Sequence, residues 1–93
     1  MSEIKIMKHR TIFIEKAIGD KGHYVYITKD PYERKDARRS LIKAMAGSVK
    51  HPTGTSSTFK LKNGSKVTVL VHHSMDIPRY VKADVVYFDR TFN

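Results

Sequence analysis

The sequence predicts a small α+β domain in which one helix covers an antiparallel sheet of about five or six strands, in the approximate order β-β-β-α-β-β-β. Three observations carry this expectation. Several short runs are rich in β-branched and aromatic residues and are separated by turn signals. A single strong helix-start signal lies between them, at Asp30-Pro31-Tyr32-Glu33. The chain has 93 residues and 40% hydrophobic content, enough for one domain (1–93) with one modest core.

The first two strands are read at Thr11–Ala17 and His23–Thr28, joined as a hairpin across Gly19-Asp20-Lys21-Gly22. If Ile18 pairs with His23, Ile14 falls opposite Ile27 on the core face, and Tyr24 and Tyr26 take the other face. An earlier strand around Ile4–Met7 is expected beside this hairpin.

The helix follows. Asp30 can accept a cap hydrogen bond, Pro31 suits the first helical position because its missing N–H has no partner there anyway, and Glu33 completes a capping box. Ala37, Leu41 and Met45 form an apolar stripe, widened by Ile42 and Ala44, and Gly47 is expected to stop the helix at positive φ. The segment 49–57 has Gly, Pro and small hydroxyl residues without apolar periodicity and reads as an exposed loop.

Phe59–Val71 reads as a second hairpin. A two-residue Asn63-Gly64 loop would break the apolar face, whereas a three-residue Lys62-Asn63-Gly64 loop with Gly64 left-handed sets Phe59 opposite Val67. Tyr80–Phe88 supplies the last strand.

Charge is the strongest pointer to function. The formal net charge is +9, and no Asp or Glu occurs between Ala37 and Met75, a stretch that holds Arg38, Arg39, Lys43, Lys50, Lys60, Lys62 and Lys66 together with His51, His72 and His73. Such a field favours an anionic partner and fits nucleic acid better than a neutral metabolite. The expected contacts are Arg34, Lys35, Arg38, Arg39 and Lys43 on the helix, Lys50 in the loop, and Lys60, Lys62 and Lys66 on the hairpin, together forming a cradle for phosphates. Like charges one turn apart, as in Arg34/Arg38 and Lys35/Arg39, cost an isolated helix roughly 0.2–0.5 kcal/mol each, which a counter-charged partner would relieve. Tyr24 and Tyr26 are the candidates for stacking on unpaired bases. The pattern matches no zinc finger, RNP-type motif, KH loop or helix-turn-helix, so it points to a non-enzymatic, regulatory protein that contacts the backbone of DNA or RNA rather than reading bases.

Two alternatives use the same residues. A regulator or inhibitor could set this surface against an acidic protein. A metal-independent nuclease would need histidine acid–base chemistry from His72, His73 and Asp76, with distant His51 as a charge stabiliser. Consecutive strand residues point to opposite faces, however, so His72 and His73 do not enter one site if regular strand geometry persists, and no catalytic residue is favoured.

Composition narrows the rest. The chain has no cysteine, which excludes disulfides, thiolate zinc sites, iron–sulfur clusters and a cysteine nucleophile. No metal site and no cofactor are expected. No segment approaches the roughly 20 apolar residues of a membrane span, so a soluble, cytoplasmic or otherwise intracellular protein is expected, without a membrane partner. A residual strand edge would allow a homodimer.

Overall fold

The computed structural model describes residues 5–50, 57–72 and 83–89. In chain order they form β1 (Lys5–Met7), α1 (Arg10–Gly19), β2 (His23–Thr28), α2 (Pro31–Ala44), a 3-10 turn (Ala46–Ser48), β3 (Thr58–Lys60), β4 (Lys66–Val71) and β5 (Val85–Phe88). The five strands make one sheet in the order β1-β5-β2-β4-β3. Every neighbouring pair is parallel except β3 and β4.

The expected antiparallel sheet with one helix is therefore corrected to a mixed, mostly parallel sheet with two helices. The reason lies at residues 10–19. Their β-branched residues favour a strand by propensity, but Phe13 and Ala17 stand one helical turn apart and both are fully buried. Phe13 seats its ring 5.9 Å from Tyr24, 5.9 Å from Tyr26 and 5.7 Å from Tyr87. That aromatic cluster joins α1 to β2 and β5, and the packing outweighs the local preference. With a helix in place of a strand, β1 and β2 are linked by a crossover, which is the connection parallel strands need.

Gly19-Asp20-Lys21-Gly22 is consequently no hairpin turn, and Ile14 does not pair with Ile27. It carries the chain from α1 into β2. The last carbonyls of α1 would be orphaned, and side chains from elsewhere satisfy them. Asn63 Nδ2 donates to Ala17 O at 3.1 Å and to Ile18 O at 2.8 Å, and Ser65 Oγ donates to Asp20 O at 3.1 Å. Tyr24 Oη shares its proton between Asp20 O at 2.6 Å and Lys16 O at 3.0 Å.

The start of α2 follows the sequence. Asp30 Oδ1 accepts from Glu33 N at 2.9 Å, and Pro31 opens the helix. Glu33 Oε2 accepts from Lys29 N at 3.3 Å, one residue before the position a capping box uses. The expected stop at Gly47 is corrected: α2 ends at Ala44, Met45 is its C-cap, and Gly47 lies in the 3-10 turn, while Gly64 is the only glycine at positive φ among the described residues. The chain tightens rather than reversing through a left-handed residue, which lets Met45 and Val49 both reach the core.

The second hairpin has the three-residue loop and the register Phe59↔Val67, with Gly64 at φ 94°. Within the expected loop 49–57, Val49 and Lys50 instead extend the sheet alongside β3: Lys50 N donates to Lys60 O at 2.9 Å and Lys62 N to Ser48 O at 2.7 Å. Residues 51–56 lie outside the described residues, as do 80–82 of the expected last strand.

The main core lies between the helices and the sheet. It gathers Phe13, Ala37, Leu41, Met45, Tyr24, Tyr26, Phe59, Leu61, Val67 and Val69. Val25, Ile27, Ala83 and Val86 form a second cluster on the opposite face of the sheet. β2 is buried on both faces, as expected for the middle strand of a parallel sheet, and among the described residues no buried side-chain nitrogen or oxygen lacks a hydrogen-bond partner.

Candidate nucleic-acid interface

The apolar stripe of α2 sets the orientation of its charges. Ala37, Leu41 and Met45 are buried in the same cluster as Phe59, Leu61, Val67 and Val69, so the rest of the helix circumference must face outward or sideways. Arg34 and Arg38 occupy the flank toward β3 and are half-buried. Arg34 Nη1 donates to Ser57 Oγ at 3.0 Å, and the Arg38 guanidinium carbon stands 5.9 Å from the Phe59 ring centroid, a cation–π contact. Lys35, Arg39 and Lys43 are exposed along the crest. Tyr32, 83% exposed, begins that crest.

The hairpin lysines point elsewhere. Phe59 and Val67 pack under the helices, and side chains alternate along a strand, so Lys60 and Lys66 project from the opposite face of the sheet. There the register aligns His23, Lys66 and Lys60 across three strands, with Thr68 and Thr58 in the next row but one. His23 Nε2 lies 2.8 Å from Thr68 Oγ1, which is 2.9 Å from Thr58 Oγ1. Asp84 is the acid nearest this row; its Oδ2 accepts from His23 N at 2.8 Å. Val49 and Leu61 are bridge partners in the main core, so exposed Lys50 and Lys62 continue this face to the outer edge of the sheet beside β3. The basic residues thus form two fields on opposite faces of the sheet, which approach each other at the β3 side, where Arg34 and Arg38 flank one face and Lys50 and Lys62 end the other.

Tyr24 and Tyr26 are 2% and 3% exposed and lie in the main core, where no base can reach their rings. Burial, with the charges of Asp20 and Asp84, raises the Tyr24 pKa. Tyr26 is raised much further by burial and by its hydrogen bond to Asp89 Oδ2 at 2.5 Å, against a smaller opposing effect of Arg10. Both phenols remain neutral donors near pH 7. Among the described residues the exposed aromatic is Tyr32, which sequence reasoning passed over. Its signal was available, since position 32 falls on the side of the helix away from 37, 41 and 45.

Among the histidines, His51 and His73 lie outside the described residues, as does Asp76. His72 follows β4 and donates its backbone N–H to Thr28 O at 2.8 Å. His23 opens β2 at the other end of the parallel sheet, about 20 Å away at the usual rise of a strand. His9 caps α1 at the same end as His72, but β5 and β2 separate β1 from β4, a spacing of about 14 Å. No two of the described histidines share a site.

A cleft of about 750 Å³ opens at the carboxyl ends of β1, β5 and β2, the place where open parallel sheets receive ligands. Lys8, His9 and Arg10 line it together with Glu33, Asp36 and Asp89, and Tyr26 and Tyr87 form part of its wall. Arg10 Nη2 reaches across to Ser40 Oγ at 2.6 Å. The acids offset the cations, so this cleft repels a polyanion more than the crest of α2 does. Among the described residues no group of three His, Cys, Asp or Glu is placed to hold a metal ion, and no helix is long and apolar enough to cross a membrane.

The fold and surface define a small, strongly basic α+β domain. No protein-family model, curated protein or solved structure gives a significant match to the chain.

Proposed function

We propose that the protein binds nucleic acid through its phosphate backbone, with the crest of α2 as the primary contact. The observation that carries this reading is the row of exposed Lys35, Arg39 and Lys43 on one rigid helix, flanked toward β3 by Arg34 and Arg38. Arg34 is held by Ser57 and Arg38 rests over Phe59, so these guanidinium groups are ordered before a ligand arrives and lose less freedom on binding. The exposed ammonium and guanidinium groups supply charge to phosphate oxygens and release counterions. The acids of α2, Glu33 and Asp36, line the cleft and so leave the β3 side of the helix entirely basic.

The test compares two double variants at one salt concentration by fluorescence titration. R39Q/K43Q is expected to weaken binding at least tenfold, and E33Q/D36N to leave it unchanged or tighten it. Equal affinity for the wild type and R39Q/K43Q would overturn the proposal.

A further inference from the structure

Resting on that reading, we infer that the polymer is single-stranded and passes around the β3 edge, with an unpaired base stacked on Tyr32. Two independent observations lead there.

The first is the placement of charge. The crest of α2 and the His23–Lys66–Lys60 row lie on opposite faces of the sheet; Lys50 and Lys62 carry the second field to the outer edge beside β3, and Arg34 and Arg38 carry the first toward the same edge. The molecule is 22 Å across its shortest axis. Duplex DNA has a persistence length of about 50 nm and does not fold around so small a body. It would touch one field and leave the other unsatisfied. A single strand bends at each nucleotide and can follow both. Lys60 and Lys66 are direct cross-strand partners, so each raises the other's electrostatic cost, and a phosphate between them relieves it.

The second is Tyr32. It is 83% exposed, the most exposed of the large hydrophobic residues among those described, and makes no use of its ring in the core. Tyr32, Lys35, Arg39 and Lys43 succeed one another along the crest over about 16 Å at the usual helix rise. An aromatic face beside a line of cations is the arrangement that holds unpaired bases, since every base has a π-face and in a duplex those faces are already stacked. Asp36 is the one acid next to this line and weakens it only locally.

The test uses labelled poly(dT), poly(U) and a mixed-sequence duplex as probes. The wild type should bind one or both single strands more tightly than the duplex. Tyr32→Ala should weaken single-strand binding by about thirtyfold, the midrange for one stacked base, and Tyr32→Phe should restore it. K60Q/K66Q should reduce the single-strand log–log salt slope by about 1.4, two contacts at about 0.7 each, and leave duplex binding unchanged. All three positions are exposed, so these variants are expected to fold. Duplex binding as tight as single-strand binding, with no effect of Tyr32→Ala or K60Q/K66Q, would overturn the inference while leaving the α2 contact intact. Absence of binding to every probe would overturn the α2 contact as well.

Discussion

Lys60 on β3 and Lys66 on β4 are direct register partners on the face of the sheet away from the helices. Like charges so placed destabilise a sheet, and opposite charges support it by about 0.2–1 kcal/mol. Lys66→Glu should therefore raise the urea midpoint slightly while weakening single-strand binding. A variant that gains stability as it loses affinity would identify the pair as kept for function. A fall in stability would mean that Lys66 makes a structural contribution that its register does not reveal.

Asn63 joins two distant parts of the chain. Its amide donates to Ala17 O and Ile18 O at the end of α1, and its Oδ1 accepts from Ser65 N at 2.9 Å. Asn63→Asp keeps the shape of the side chain, removes both donors and sets a negative charge against the negative end of the helix. The expected loss is about 1–3 kcal/mol by chemical denaturation, larger than that of Asn63→Ala. Equal stability of Asn63→Asp and wild type would show that the turn is held by Gly64 alone.

Phe13 is the keystone of the aromatic cluster with Tyr24, Tyr26 and Tyr87. Phe13→Ala should cost about 3–5 kcal/mol, which is most of the stability of a domain this small, and the variant should lose cooperative thermal unfolding. Asp30→Ala, by contrast, removes one cap bond and should cost about 1 kcal/mol without abolishing the transition.

Alkaline stability follows from Tyr26. Its pKa is raised above the ordinary 10.0, chiefly by burial and then by Asp89. A group whose native pKa is raised holds its proton longer in the folded state, so its contribution is complete below pH 10 and is lost as pH climbs beyond that value. Tyr24 acts in the same direction. Urea midpoints should fall above about pH 10, and Tyr26→Phe should flatten the decline. An unchanged alkaline profile in that variant would place the pH dependence elsewhere.

These predictions divide according to what the sequence made visible. α2 was legible because Asp30, Pro31 and Glu33 specify its start and Ala37, Leu41 and Met45 its buried face. The second hairpin was legible because Asn63-Gly64 admits only one register that keeps Phe59 and Val67 together. α1 was not, because Ile12, Ile14 and Ile18 prefer strands and His9 makes no side-chain cap bond, leaving the Phe13–Ala17 spacing as the only helical sign. Missing that helix turned a parallel sheet into an antiparallel one. The basic residues could be named from the sequence, but their division between two faces required the register. Tyr24 and Tyr26 misled because alternation alone does not say that a central strand is covered on both sides.

The most direct test of the account is the salt dependence of wild-type binding to a labelled single strand. Contacts from Lys35, Arg39, Lys43, Lys60 and Lys66 predict a log–log slope between about −2 and −4. A slope near zero, or no binding even at about 50 mM salt, would contradict a phosphate-binding surface on this protein.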